Sequence, residues 1–157
     1  MHELFPVGTG ISKVRGIVLL IRDSNGTISL SELADEAEEE IDDLLPLIDA
    51  CKMLGFINLN GSDVALTDDG IKLTKGSPYK IIREKLKDVE PFKSTIAALR
   101  KKSMTTEELM KFLGSKRVIV KDTEDTVAAL KELFQHWGVG SKLLRYNEED
   151  DTWSVRA

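Results

Sequence analysis

The residue types that most often carry catalytic or metal-binding chemistry are few in this sequence and lie far apart. The chain has two histidines, His2 and His136, and one cysteine, Cys51, and none of them lies within a cluster of other metal ligands. A structural zinc site needs four such ligands at close spacing, so we expect no metal site. Cys51 falls on the apolar stripe of a predicted helix, a position typical of a small core residue.

Neither of the two short glycine pairs has the pattern of a phosphate-binding loop. Gly8–Gly10 and Gly138–Gly140 are too short and wrongly placed for a dinucleotide loop, which indicates ordinary turns. The sequence also lacks the G-x-x-x-x-G-K-[ST] motif, so the chain by itself is not an ATPase of the P-loop class. No nucleophile motif indicates a serine, histidine and aspartate triad. We therefore predict a protein that is not an enzyme and that holds no cofactor.

Charge is the second pattern that could support a function. Residues 1–76 hold six Lys or Arg against fourteen Asp or Glu, a net charge of −8, whereas residues 77–157 hold sixteen against thirteen, a net charge of +3. The charge changes sign next to Gly76–Pro78, a turn-forming triplet that predicts a boundary between two segments. Because each segment has the size of a small domain that is marginally stable alone, we expect the two to pack on each other.

An acidic surface is predicted on the second and third helices of the first segment. The candidate partner-facing residues are carboxylates that the helical pattern leaves outside the core: Asp35, Glu36, Glu39, Asp42, Asp43 and Asp49. Such a run is also typical of a solvated turn and helix start, stabilised by the helix dipole. The functional interpretation is a surface that docks on a basic partner, where the charges mainly set the association rate and its salt dependence.

The basic residues of the second segment indicate a competing function. The candidate nucleic-acid-facing residues form two clusters after predicted helices: Arg100, Lys101, Lys102, Lys116, Arg117 and Lys121. A winged-helix protein that reads DNA places its third helix in the major groove and neutralises phosphates with Lys and Arg. The third helix of the first segment instead carries three carboxylates and one cation, Lys52. DNA binding by the basic segment therefore stays the alternative function.

Hydrophobic spacing and turn signals predict three helices in the first segment. An apolar stretch over 14–21 predicts a buried helix, and Ser29 with Glu32 has the capping-box spacing that begins a second helix. We expect the third helix to begin at an aspartate cap, to hold a proline in its first turn and to end at a glycine. The residues in these three roles are Asp42 or Asp43, Pro46 and Gly55.

A hairpin and a closing helix complete the first segment. Strands are predicted over 56–59 and 64–66, on either side of the turn 60–63. Thr67 then caps a short helix over 68–73, where two aspartates lie favourably at the positive end of the helix dipole. Three helices followed by a hairpin form a winged-helix-like arrangement.

The second segment predicts the same order of elements. Two amphipathic helices are expected over 79–89 and 92–99, the first of them ended by Pro91, and Thr105 and Glu108 repeat the capping spacing seen before. We therefore predict a mainly α fold with short β-hairpins (α+β), built from two winged-helix-like modules in tandem.

The end of the second module is predicted from its aromatic and glycine residues. A helix over 127–137 is expected to stop at Gly138, and strands over 142–146 and 152–155 form the second hairpin. The two tryptophans of the chain are expected to pack together beneath this hairpin. A third alternative function, a small-ligand sensor with a pocket between the modules, stays open.

Four motifs along the chain resemble a known family. They are Glu32–Asp35, Asp42–Ala50, Leu54–Phe56 and Leu66–Gly70, which read ELAD, DDLLPLIDA, LGF and LTDDG. The sequence resembles the AAA-associated C-terminal domain, which follows the ATPase in some nitrate, sulfonate and taurine ABC transporters. The resemblance implies an accessory or regulatory module beside a transporter ATPase, and it carries over no catalytic residue.

Composition bounds the compartment and the membrane topology. Hydrophobic residues make up 41% of the chain and charged residues 31%, which is enough to form a core. The longest apolar run, Gly16–Ile21, is far below the roughly 18–20 residues of a membrane span. A single cysteine fits a reducing compartment. We expect a cytoplasmic protein without membrane insertion, and homodimerisation through exposed helix faces stays open.

Overall fold

The first half of the chain folds as a helix, a strand, two helices and a hairpin, followed by a closing helix. The computed structural model describes residues 9–118 and 124–155. In order, the elements of the first half are α1 (Ile11–Asp23), β1 (Thr27–Ser29), α2 (Leu30–Ala37), α3 (Ile41–Met53), β2 (Ile57–Asn60), β3 (Asp63–Leu66) and α4 (Asp68–Lys75). The strands form one antiparallel sheet in the order β1-β3-β2, in which Val64 lies opposite both Ile28 and Leu59. The sequence did not predict β1.

After one additional helix, the second half repeats the helix, strand, two helices and hairpin of the first half, and no closing helix follows within the described residues. Its elements are α5 (Pro78–Leu86), α6 (Phe92–Leu99), β4 (Met104–Thr105), α7 (Thr106–Ser115), α8 (Glu124–Leu133), a π-helical segment (Phe134–Val139), β5 (Leu144–Asn147) and β6 (Thr152–Val155). The second sheet has the order β4-β6-β5, so the last strand of the hairpin is again central. The predicted fold class, mainly α with short hairpins, is confirmed.

The two predicted capping boxes differ in the structure. The Thr105 hydroxyl accepts from the Glu108 N–H at 3.2 Å, and the Glu108 carboxylate accepts from the Thr105 N–H at 3.0 Å. Ser29 likewise accepts from the Glu32 N–H at 3.2 Å. The Glu32 carboxylate, however, accepts from the Ser29 hydroxyl instead of its backbone N–H. The reciprocal bond predicted for Glu32 is therefore wrong, because the hydroxyl proton takes the place of the amide proton.

Helix α3 begins earlier than the sequence predicts. Its cap is Glu40, whose carbonyl accepts from the N–H groups of Asp43 and Leu44. Pro46 therefore lies inside the helix and not in its first turn, and both aspartate caps predicted for this helix are wrong. The helix tolerates the proline because only the Asp42 carbonyl loses its i+4 donor, at an exposed residue where water can replace it.

The LTDDG motif links the end of α3 to the start of α4 through hydrogen bonds. Gly55 ends α3 in a left-handed conformation, with φ at 80°, as predicted. The Thr67 hydroxyl donates to the Gly55 carbonyl at 2.6 Å and accepts from the Gly70 N–H at 3.1 Å, so the predicted cap is confirmed. Gly70 lies against Phe56, since a Cβ at this position would stand 2.2 Å from the Phe56 carbonyl oxygen. The motif therefore encodes a close contact between two backbone segments.

One continuous hydrophobic core runs through both halves, as expected from their size. Helix α1 packs against α4 and α5, on either side of the predicted boundary. The Lys85 ammonium pairs with Asp69 at 2.5 Å, and the Trp137 indole N–H donates to the Thr9 hydroxyl at 3.0 Å. The division into domains 1–76 and 77–157 stays a prediction.

Two helix ends in the second half differ from the prediction. Helix α5 ends at Leu86, five residues before Pro91, which instead caps α6. Gly138 does not stop the last helix, because α8 continues as the π-helical segment to Val139. Gly138 packs closely against β5, since a Cβ there would lie 2.6 Å from Leu144 Cδ1. The helix therefore continues past Gly138 in π-helical geometry instead of ending at this glycine.

The predicted tryptophan pair is wrong. Within the described residues, the ring contacts of Trp153 are with Phe134 at 5.7 Å and with Tyr146 at 4.4 Å between centroids. Trp137 reaches the other half of the chain through its bond to Thr9. Both rings are fully buried, and among the described residues no ring contact joins them. No helix within the described residues is long and apolar enough for a bilayer span.

Candidate functional site

The predicted acidic residues all lie exposed along α2, the following turn and α3. They are Asp35, Glu36, Glu39, Asp42, Asp43 and Asp49. The turn is compact because Glu38 adopts a left-handed conformation and the Glu39 N–H donates to the Ala34 carbonyl. Within residues 9–118 and 124–155, none of these six carboxylates forms an ion pair. The sequence therefore located a run of solvated carboxylates without internal partners.

Two apolar side chains lie among these carboxylates, and sequence reasoning missed them. Ile41 is 45% exposed and Leu45 is 39% exposed. They are four residues apart on α3 and so lie one turn apart on one helix face, which Asp49 shares. They could have been found from spacing, because they fall outside the buried stripe of the helix. We call the six carboxylates with Ile41 and Leu45 the acidic face.

The buried side of α3 holds the acidic face in place. Its core residues are Leu44, Leu47, Ile48, Ala50 and Cys51, and the helix packs against α1, α2 and β2. Burial raises the pKa of the Cys51 thiol to about 12, although a backbone hydrogen bond lowers it slightly. The thiol is therefore protonated at neutral pH, and its position in the core agrees with the prediction. A helix packed in this way is a rigid support for its exposed side.

The predicted basic residues divide between two grooves. Lys101, Lys102 and Lys116 line a groove of about 530 Å³ between α6 and α7, where the Lys116 ammonium lies 5.9 Å from the Phe112 ring centre. Arg100 lines a different groove, on the other side of α6. Arg117 is exposed in the turn after α7. Lys121, predicted in the same set, lies outside the described residues.

A cleft of about 400 Å³ lies between the halves, where the ligand-sensor alternative would place its pocket. It is lined by residues of the α1 start, by Tyr79 of α5 and by His136 with Glu132. Neither tryptophan lines it among the described residues, since both rings are buried. Within the same residues, no group of three or more His, Cys, Asp or Glu side chains is arranged to hold a metal ion.

A polar network under the second hairpin was not predicted from the sequence. The Trp153 indole N–H donates to the Thr106 hydroxyl at 2.9 Å, and that hydroxyl donates to the Asp151 carboxylate at 2.6 Å. The Tyr146 hydroxyl donates to the same carboxylate at 2.6 Å, and Lys131 lies 3.7 Å from it. Partial burial raises the pKa of Asp151, but the bonds from Thr106 and Tyr146 and the charge of Lys131 outweigh it, so the pKa lies below its usual value.

We expect Asp151→Asn to weaken the fold and to reduce its acid sensitivity. Asparagine tolerates the left-handed conformation of this position, φ 52°. It removes the negative charge that Thr106, Tyr146 and Lys131 contact. Because the side chain is 44% exposed, we expect a loss of about 1 kcal/mol in the free energy of unfolding at pH 7. Urea titrations from pH 2 to pH 7 measure it.

The sign of the pH effect follows from the lowered pKa. The ionised Asp151 carboxylate contributes its full stabilisation at pH values above the pKa that it has in the unfolded chain. This contribution is lost as the pH falls through the lower pKa that it has in the folded protein. The Asp151→Asn variant should therefore lose less stability than the wild type below about pH 4. Glu149→Gln, at an exposed turn residue, is the control and should follow the wild-type curve. Parallel wild-type and Asp151→Asn curves would contradict the prediction.

The family follows from comparison with known proteins. A family model described as the C-terminal AAA-associated domain matches residues 31–147. The chain belongs to this family. The match runs from α2 to the end of β5, so it includes the acidic face, the groove between α6 and α7, and the lining of the Arg100 groove except Val155. No curated protein matches the sequence significantly.

Family membership confirms the resemblance that the ELAD, DDLLPLIDA, LGF and LTDDG motifs carry. It supports an accessory role for this AAA-associated domain, in association with an ATPase. The structure adds what these motifs do: they build α2, α3, the stop of α3 and the cap of α4. The motifs therefore form part of the support beneath the acidic face.

Proposed function

We propose that this AAA-associated domain is a non-enzymatic accessory module that docks on a protein partner through its acidic face. The family supports association with an ATPase, and we infer from the resemblance described above that this ATPase is of the ABC transporter type. The observation that carries the proposal is the composition of the exposed side of α3, where Ile41 and Leu45 lie among carboxylates that form no ion pair with the described part of the chain.

This composition is typical of a protein interface. Apolar side chains at the centre of an interface supply most of its binding free energy when they are desolvated, and the charged rim steers the encounter. Two apolar residues one helical turn apart match the spacing with which a helix enters a groove. We therefore expect a partner surface with an apolar groove and a basic rim.

Capture of the partner from lysate of the source organism tests the proposal. The full chain is immobilised, and the proteins it retains are identified by mass spectrometry at about 50 mM and 500 mM salt. We expect an ABC-type ATPase to be retained, and less of it at high salt, because salt screens the rim charges. The double variant Asp42→Lys with Asp49→Lys should retain at least tenfold less of it.

A matched control separates a specific face from overall charge. Asp63→Lys with Asp88→Lys makes the same change in net charge at exposed residues outside the acidic face, and it should retain as much ATPase as the wild type. Leu45→Asp tests the apolar centre without adding positive charge and should also lose the ATPase. Equal retention by all variants, or no ATPase retained by the wild type, would contradict the proposal.

DNA binding by the basic half is the other outcome that the experiment must separate. A mobility-shift assay at about 50 mM salt detects it, since phosphate contacts are strongest there. The double variant Lys101→Glu with Lys116→Glu would then abolish the mobility shift, and the acidic-face variants would leave it intact. That result would show that the domain binds nucleic acid instead of a protein partner.

A further inference from the structure

A groove between α5, α6 and the second hairpin gathers positive charge from three separate elements. Its cationic side chains come from α5 and its end, from the residue after α6 and from the loop before β5; they are Arg83, Lys87, Arg100 and Lys142. The groove measures about 640 Å³, within the roughly 300–1,000 Å³ of small-molecule sites. It shares no residue with the acidic face.

The positive charge of this groove is not compensated. Among the described lining residues, Glu84 is the one carboxylate, and it lies 3.0 Å from the Lys87 ammonium. Arg83, Arg100 and Lys142 form no ion pair within residues 9–118 and 124–155. Like charges that converge on a concave surface repel one another and attract anions. Because the whole chain has a net charge of −5, this attraction is local to the groove.

One of the cations, Arg83, is held in place by a hydrogen bond to the backbone. The Arg83 Nε–H donates to the Ser141 carbonyl at 2.8 Å, which orients the guanidinium and leaves its other donors for a ligand. Lys142 follows directly, in a left-handed conformation with φ at 66°. An oriented guanidinium matches the geometry of phosphate, which it can bind with two parallel hydrogen bonds. Arg83 is therefore positioned before any ligand arrives.

The floor of the groove is apolar. It is formed by Ile96, Leu99, Leu143 and Val155. A floor of this kind contacts the part of a ligand that carries no charge, while the cations at the rim contact its anionic group. We propose that this groove binds a small ligand that carries a phosphate group, held by Arg83, Arg100 and Lys142, next to an apolar portion that lies on the floor.

Binding to the full chain is measured by isothermal titration calorimetry with three probes. These are inorganic pyrophosphate, ATP, and vesicles of phosphatidylcholine with one third phosphatidylglycerol. We expect saturable binding of pyrophosphate with one site per chain. Tighter binding of ATP would identify a nucleotide as the source of the phosphate, and tighter binding of the vesicles would identify a lipid headgroup. No saturable binding of any probe up to about 1 mM would overturn the proposal.

Matched variants locate the site. Arg100→Glu should weaken binding of the tightest probe at least tenfold, and Lys142→Asn, which suits a left-handed residue, should weaken it severalfold. Lys93→Glu makes the same charge change as Arg100→Glu, at an exposed residue of α6 that does not line the groove, and should bind as the wild type does. Equal weakening by Arg100→Glu and Lys93→Glu would overturn the proposal, because it would show attraction to the surface in general.

Discussion

Trp153→Ala is expected to lower the free energy of unfolding by about 3–5 kcal/mol, the usual range for removing a buried aromatic side chain. Trp153 is fully buried, and its ring packs against Phe134 and Tyr146. Its removal leaves a cavity and takes away the indole N–H that donates to Thr106. The free energy of unfolding of a natural domain is about 5–15 kcal/mol, so this loss removes a large part of the stability.

Urea unfolding followed by far-ultraviolet circular dichroism measures this loss without relying on tryptophan fluorescence. Trp153→Phe is the companion variant, because it keeps an aromatic ring and removes only the indole donor. We expect it to cost about 1–2 kcal/mol, the value of a lost buried hydrogen bond with some lost packing. A loss below about 1 kcal/mol in Trp153→Ala would contradict the placement of this ring at the centre of the second module.

Gly70→Ala is expected to lower the free energy of unfolding by about 2–3 kcal/mol, although alanine is the better helix former. The new Cβ would stand 2.2 Å from the Phe56 carbonyl oxygen and 3.1 Å from Leu66 Cδ2. The carbonyl cannot move freely, because it accepts from the Thr67 N–H at 3.0 Å. The strain therefore falls on the backbone that joins the end of α3 to the start of α4.

Gly16→Ala is the matched control. Gly16 lies within α1, and a Cβ there would meet no atom within 4 Å. The same substitution should therefore stabilise the protein by up to about 1 kcal/mol, through helix propensity alone. Thermal or urea unfolding of the two variants side by side tests the pair. A Gly70→Ala variant as stable as the wild type would show that the motif glycine has no packing role.

These two substitutions affect the support of different surfaces. Gly70 lies beneath the joint between α3 and α4, and α3 carries the acidic face. Trp153 lies in β6, whose Val155 lines the cationic groove. Gly70 and Trp153 thus lie in different regions of the one continuous core, each next to one of the two proposed sites.

The order of elements was predictable from the sequence because its signals are local. Caps such as Thr67 and Thr105, the stop at Gly55 and the hairpin turns each depend on a few neighbouring residues. The same holds for the buried stripe of α3, and for the carboxylates that this stripe leaves outside. Errors arose where a local signal had competitors, as at the start of α3, where the cap is Glu40 and not the predicted Asp42 or Asp43.

The candidate sites were less predictable, because their parts come from distant positions. The basic residues were read as one set, but the structure divides them between two grooves on opposite sides of α6. Arg83 and Lys142 were not in that set, and they join Arg100 only through tertiary packing. Ile41 and Leu45 are the exception, since helical spacing alone could have placed them on the exposed face.

What the sequence determined by itself is the family, the order of helices and hairpins and the acidic character of one face. Each of these depends on neighbouring residues or on a periodic stripe, which the chain carries without reference to its fold. Only the tertiary structure decided the cationic groove and the Trp153 network, whose hydrogen bonds join residues 58 and 47 positions apart. Burying one core brings such residues together, and no local pattern specifies which of them will meet.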